Sequence, residues 1–376
     1  MAERYRKHVY CEKKFLEHCI KTIAEWKFCE QNFEELSLWM CIKALIFSSD
    51  IVLHLNITSD EIDTIENKKR NELTTFEKNI RDILDCQHQN SDGSPGIKLI
   101  TGDFVTVDNI NKSDNKQLTA YYLTCCDCKT CQQCMDECGV LAICPENINN
   151  FKSFFSDNGT AIDKNDEYIK SWKSVLKFCP CNSIALVDNY ILTDTNMMNE
   201  NLADIFDALL PKKLNVEIPF QISIFTTLKS SNSKFDINSE DRQNCIESLI
   251  RKIRPNLRFN LSIFKVSKDK FHDRSLVSNN FYVSCGGGFD LFKEKKSTKM
   301  TTINIVYPVL SNSVYWTSAA YSNFIKEVSY VFNRTTSFDT IKNNLSFNGA
   351  TIKIDPNTMT GFYVGDKQNR LCELIK

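Results

Sequence analysis

Two rhythms of apolar residues divide this chain: a period of three to four through its first part, and short apolar runs alternating with helical stretches through its last. In residues 4–84, Phe15, Cys19, Ile23 and Trp26 form one apolar stripe and Leu38, Cys41, Ile42 and Leu45 another. Such stripes predict amphipathic helices with one face turned inward. Residues 56–60 break the pattern, and a second helix is predicted over 59–84, opened by Ser59-Asp60-Glu61 as a cap. Its outer positions mix charges of both signs, the mark of a solvated face. A polar stretch at 87–116 contains the turn Asp92-Gly93-Ser94-Pro95-Gly96, with a short hairpin predicted over 97–107.

The last part predicts strands at 218–226, 257–266 and 301–309, a strand or strand pair at 274–283, and a short strand at 350–354. Helices are predicted at 241–253, ending near Pro255, and at 315–332. This alternation argues for an α/β layer. Between the two parts lies a cysteine-rich region, interrupted by a helical stretch at 151–177 and leading out through 191–209. The expected fold class is therefore multidomain α+β. It comprises a helical scaffold or docking domain at 1–117, a small cysteine-rich domain at 118–198 and an α/β domain at 199–376.

With 376 residues, 42% of them hydrophobic and 25% charged, the chain is long enough for two or three cores. A net charge of −1 leaves a nucleic-acid partner neither favoured nor opposed. No apolar run reaches the ~18 residues of a membrane span, and the first ten residues lack a signal-peptide apolar core. A cytoplasmic location is expected. There, 17 cysteines point to metal binding or catalysis rather than disulfides. Few Gly and Pro beside abundant Asn, Lys, Ile and Phe fit an AT-rich bacterial genome. Cys11, Cys19, Cys29 and Cys41, with His8 and His18, stand at core-like helical spacings and read as interior residues.

The spacing Cys128-x2-Cys131-x2-Cys134-x3-Cys138 is dense in thiols, and Cys125, Cys126, Cys144, Cys179 and Cys181 lie nearby. It resembles the iron–sulfur run of bacterial ferredoxins, in which two-residue loops aim successive sulfurs at one cluster. Cys138-Gly139-Val140-Leu141-Ala142-Ile143 and Cys179-Pro180-Cys181-Asn182-Ser183-Ile184 look like the two half-motifs of that family. The resemblance implies a [4Fe–4S] cluster on Cys128, Cys131, Cys134 and Cys179. Gly139 stands where the family has proline, and no second complete run follows. Zinc held by four thiolates is the alternative. The remaining thiols are spare, with burial as small apolar groups their plain role.

A second constellation is His272-Asp273-Arg274-x4-Asn279 followed by Gly286-Gly287-Gly288-Phe289-Asp290. It resembles the phospholipase D superfamily signature, and more closely its degenerate branch typified by the MIT C-terminal domain. That resemblance implies binding of phosphate groups without cleavage, through Arg274, Asn279, Gly286, Gly287, Lys293 and Lys295. A histidine nucleophile needs a second acid for the leaving oxygen. The other histidines lie outside this region, so catalysis by His272 would require a homodimer. Between residues 251 and 299 there are 12 Lys and Arg against 4 Asp and Glu, a local charge of +8 suited to a polyanion. Phe259, Phe264, Phe271, Phe281 and Tyr282 interleave these charges but fall in predicted strands, as sheet core.

The expected protein is an iron–sulfur protein that binds DNA or RNA through a degenerate phospholipase D-like domain. It would work with protein partners in a bacterial antiviral defence complex. An active nuclease using His272 and a redox or electron-transfer protein are the alternatives. Without a Gly-x4-Gly-Lys phosphate loop, an ATPase motor would belong to another chain.

Overall fold

The computed structural model describes residues 6–26, 33–87, 96–110, 118–155, 158–162, 168–176, 180–192, 195–227, 238–266, 271, 274–308, 310, 318–337, 339 and 361–375. The chain is mixed α and β and divides into two compact units. One comprises Met1–Met135, Val140–Asp157 and Val306–Tyr321; the other comprises Asp136–Gly139, Asn158–Ile305 and Ser322–Lys376. Among the described residues no helix is long and apolar enough to cross a membrane.

The first unit corrects the expectation of an all-helical start. It is built on a parallel sheet of β1 (Lys7–Cys11), β2 (Ile51–Leu55), β3 (Lys98–Thr101), β4 (Tyr121–Leu123) and β5 (Leu141–Ile143), in the order β3-β2-β1-β4-β5. Strands this short and this apolar look like pieces of the neighbouring helices when read by period alone. Parallel pairing explains the nearly unbroken burial of β1, β2, β4 and β5, since crossovers place helices over the sheet, while β3 at the sheet edge stays largely exposed. Those helices are α1 (Lys13–Glu25), α2 (Phe33–Ile46), α3 (Ser59–Asn67) and α4 (Thr75–Asp85).

The stripes of α1 and α2 do face inward, with Phe15, Cys19, Leu38, Ile42 and Leu45 buried, and Phe15 meets Trp39 at 5.7 Å. The single helix expected over 59–84 is two. Thr58 and Thr74 each cap one in a reciprocal capping box, with Glu61 and Glu77 as partners, so the cap is Thr58 rather than Ser59. Within 97–107 there is one short strand, β3, instead of a hairpin, and it pairs with β2. Lys7 opens β1 buried, its ammonium 4.4 Å from the centre of the Tyr121 ring, and burial brings its pKa down to about 7.

After β4 the cysteine run forms α5 (Cys128–Cys138), and a 3-10 helix follows at Ile148–Phe154. The expected helical insert at 151–177 contains this 3-10 turn, the strand β6 (Asn158–Ile162) and a short helix, α6 (Trp172–Val175).

The second unit matches expectation more closely. Its strands are β6, β7 (Ser183–Val187), β8 (Phe220–Thr226), β9 (Phe259–Lys265), β10 (Ser275–Ser278), β11 (Tyr282–Cys285), β14 (Thr301–Val306), β15 (Thr336–Ser337) and β16 (Phe362–Gly365). They form one nine-stranded sheet in the order β15-β16-β9-β8-β7-β10-β11-β14-β6. β7, β8 and β9 are parallel, whereas β10 runs antiparallel to β7. A small hairpin, β12 (Phe292–Lys293) with β13 (Lys296–Ser297), stands apart. The helices α7 (Thr195–Leu209), α8 (Asn238–Ile253) and α9 (Ser318–Arg334) supply the other layer. β8 is buried along its whole length. The strand expected at 350–354 lies outside the described residues.

Candidate functional site

In the parallel sheet of the first unit, and from the parallel strands β7–β9 of the mixed second sheet, the chain leaves a central strand, winds outward on one side, and then returns to the other side. The crevice at such a reversal, beyond the carboxyl ends of the strands, is where open α/β sheets bind ligands. In the first unit the reversal falls between β1 and β4, and in the second between β7 and β10.

At the first reversal, Glu12 directly follows β1. Its carboxylate accepts the Thr124 hydroxyl at 2.6 Å and the Cys125 amide at 2.9 Å, tying the ends of β1 and β4 together. The same edge carries Cys11, Cys125, Cys126, Cys128, Cys131 and Cys144, because β1, β4 and β5 are neighbours that end there. Asp127 caps α5 by accepting the Thr130 amide at 2.9 Å, and Glu146 accepts the Cys128 amide at 3.1 Å. Amide bonding, the Thr130 amide first, holds the Asp127 carboxyl below its usual range.

Burial raises the Cys131 thiol well above the ordinary range, and its hydrogen-bonded neighbour Cys144 adds to this. Cys126 and Cys128 are also raised, again chiefly by burial. These shifts oppose the thiolate form that a metal requires, and a metal would have to displace the protons.

The expected wrap of Cys128, Cys131 and Cys134 around one point is instead a single helical stripe, since spacings of three and four also describe a helix face. Six residues of helix climb about 9 Å from Cys128 to Cys134. Cys179 lies outside the described residues. The two half-motifs do meet: the Asn182 side chain donates to the Cys138 carbonyl at 2.7 Å. Gly139 has φ +64°, and a side chain there would run into the Cys181 carbonyl. That explains glycine where proline was expected, since a proline ring fixes φ near −65°. As a donor set, these soft sulfurs suit iron–sulfur or zinc chemistry. Among the described residues, no three His, Cys, Asp or Glu side chains converge as placed.

At the second reversal, Asp188 directly follows β7 and Arg274 directly precedes β10. Asp188 is fully buried and accepts the amides of Tyr190 at 2.7 Å, Ile191 at 3.1 Å and Phe289 at 2.5 Å. Burial pushes its carboxyl up, and the Phe289 amide bond partly offsets this. Arg274 donates through Nη1 to the Gly286 carbonyl at 2.8 Å and lies over the Tyr190 ring at 5.7 Å. Its Nε is buried without a hydrogen-bond partner. Gly288, at φ +92°, packs where a Cβ would stand 2.8 Å from Asp290 Oδ1, 3.1 Å from Asp188 Oδ2 and 3.2 Å from Arg274 Cδ. Only glycine fits between these groups.

The glycine turn does not offer its amides to a ligand. Gly287 N donates to Thr301 Oγ1 at 2.8 Å and Gly288 N to the Cys285 carbonyl at 3.1 Å. Its carbonyls instead receive cations, with Lys299 Nζ on Gly287 O and on Asp290 Oδ1, both at 2.8 Å. Lys293 and Lys295 are exposed on the β12–β13 hairpin.

Asn279 does not join the set. It follows β10 at the opposite edge of the sheet, about 13 Å of strand from Arg274. There it is fully buried, accepting the Asn182 amide at 2.9 Å and donating to the Gly139 carbonyl at 2.9 Å. His272 lies outside the described residues. Sequence reasoning missed Asp188, whose signal is an acidic residue ending an apolar strand run. It also missed Glu12, whose strand was read as helix. Compared with known proteins, the chain matches no family model and no curated sequence.

Proposed function

We propose that the chain binds a phosphate-bearing polymer, DNA or RNA, at the β7–β10 reversal of its second unit, without cleaving it. The observation that carries this reading is Arg274. It is half-exposed beside the β7–β10 reversal, with Nη1 on the Gly286 carbonyl. A guanidinium so placed suits a grip on a phosphate. The exposed lysines of the adjoining hairpin extend the positive charge. In this reading the second unit is the degenerate phospholipase D-like domain expected from the sequence. Its test is nucleic-acid binding by the full chain over a range of salt. Binding should weaken steeply as salt rises, and Arg274→Ala should weaken it further with no strand cleavage in either protein. Salt-independent binding, or none, would remove the proposal.

A second reading concerns the first unit and rests on its thiol-lined sheet edge. It is a thiolate-bound centre, a [4Fe–4S] cluster or zinc, using Cys128 and Cys131 with further cysteines of the region. Soft sulfur donors suit such centres. Anaerobic purification with an absorbance spectrum and iron, sulfide and zinc analysis tests it. Brown protein with iron and sulfide supports the cluster, zinc alone supports the alternative, and metal-free protein sinks both.

A further inference from the structure

The β12–β13 hairpin is anchored firmly and carries a tip that its own stability does not favour. Phe292 is 2% exposed and meets Trp172 edge-on at 5.6 Å. Asn201 clamps the backbone on both sides of that residue, accepting from Phe292 N and donating to Phe292 O, each at 2.9 Å. Thr298 closes the base, its amide reaching the Leu291 carbonyl at 2.8 Å. Above this base, Lys293 and Lys296 are paired across the two strands, both exposed. Like charges directly opposite each other destabilise a strand pair. The turn itself is Glu294-Lys295, at φ 50° and 59°. Two-residue hairpin turns of this kind favour Asn-Gly, because left-handed backbone disfavours residues with a Cβ. A facing lysine pair and a non-glycine turn are both unfavourable, and both place lysines at an exposed tip. Local strain that keeps particular side chains in place points to function.

We infer that this hairpin enters the major groove of double-stranded DNA, with Lys293, Lys295 and Lys296 on the flanking phosphates. The inference rests on the phosphate-polymer reading above and narrows its ligand. A B-form major groove, about 12 Å wide, admits a two-stranded ribbon, whereas that of A-form RNA is too narrow for side chains. Single strands are held largely by stacking on aromatic rings. The rings nearest the hairpin, Trp172, Phe289 and Phe292, are all buried in the core and present no such platform. Three acidic groups lie nearby: Glu294 is exposed in the turn, Glu200 accepts the Glu294 amide at 2.9 Å, and Asp204 is within electrostatic reach of Lys295. On the hairpin itself three lysines stand against one glutamate.

The test measures binding of the full chain to a short DNA duplex, one of its single strands, and an RNA duplex of matching sequence, at several salt concentrations. The DNA duplex should bind tightest. Lys295→Gly should reduce the salt slope by about one, and the double variant Lys293→Ala/Lys296→Ala by about two. Lys295→Gly also relieves the left-handed turn, so its melting temperature should hold or rise while binding falls. A merely structural tip would not separate the two. Tighter binding of single strands or RNA overturns the duplex assignment and leaves phosphate binding intact. An unchanged salt slope in both variants overturns the hairpin's role. Failure to bind any of the three polymers overturns both this inference and the reading beneath it.

Discussion

The two sheet reversals are built on the same plan and finished differently. In each, an acidic residue directly follows the central strand: Glu12 after β1 and Asp188 after β7. Glu12 is half-buried and ties two strand ends across the reversal, beside an edge lined with thiols. Asp188 is fully buried, gathers three backbone amides and lies within electrostatic reach of Arg274. One edge is rich in sulfur, while the other sets a buried carboxylate beside a cation. Under the readings proposed above, the first would suit soft-metal chemistry and the second anion recognition. What differs is which residues follow the strands.

The largest effect that would break this comparison comes from Asp188. Replacing it with alanine strands three buried amides, each costing about 1–3 kcal/mol when unpaired. Asp188→Ala should lose roughly 3–5 kcal/mol in chemical denaturation and abolish nucleic-acid binding with it. Asp188→Asn keeps one acceptor oxygen and should cost roughly half as much. If Asp188→Ala were as stable as the parent, the glycine turn would not depend on this carboxylate.

A smaller effect separates the units by pH. On the first sheet, His54 stacks on Tyr10 at 4.1 Å, and its Nε2 lies 2.8 Å from His8 Nδ1. Burial, then the charges of His8 and Lys98, bring the His54 pKa down from 6.5 to about 4. The folded state thus binds this proton less readily than the unfolded chain does. Its contribution is complete above pH 6.5 and is lost as the pH falls from there towards 4. Urea denaturation between these values should show the first unit weakening, and His54→Gln should flatten the trend. An identical slope in the variant would place the acid sensitivity elsewhere.

The sequence made the second unit far more legible than the first. β8, α8, β9, the β10–β11 pair, β14 and α9 all overlap stretches predicted from period and turn chemistry, with α8, β11 and α9 running two or three residues past them. They are long enough, or flanked clearly enough, for the two periods to separate. In the first unit β1 and β2 have five residues each, and β4 and β5 three. A buried parallel strand of that length lacks the alternation that marks a half-exposed one. The cysteine run is ambiguous for a related reason: intervals of three, three and four fit a cluster wrap and a helix face equally well. Arg274 stood out in the sequence, but its neighbour Asp188 did not. A four-residue strand lies between Arg274 and Asn279, and strand pairing carries the two to opposite edges.

The smallest effect tests the thiol-lined edge itself. The Cys125 thiol is raised first by burial and next by the Glu12 carboxylate, and Cys125 is exposed. Glu12→Gln removes that negative charge while keeping an oxygen for the Cys125 amide and an Nε2 that can donate to the Thr124 hydroxyl oxygen. The strand ends should stay tied, and only the thiol's electrostatics should change. With less to oppose the thiolate, alkylation of Cys125 at mildly alkaline pH should speed up by roughly two- to threefold, a fraction of a pKa unit at a solvated site. Cys131 and Cys144 are fully buried, so their alkylation should not change. Faster alkylation of all three would mean that Glu12 holds the edge shut rather than merely keeping its outermost thiol protonated.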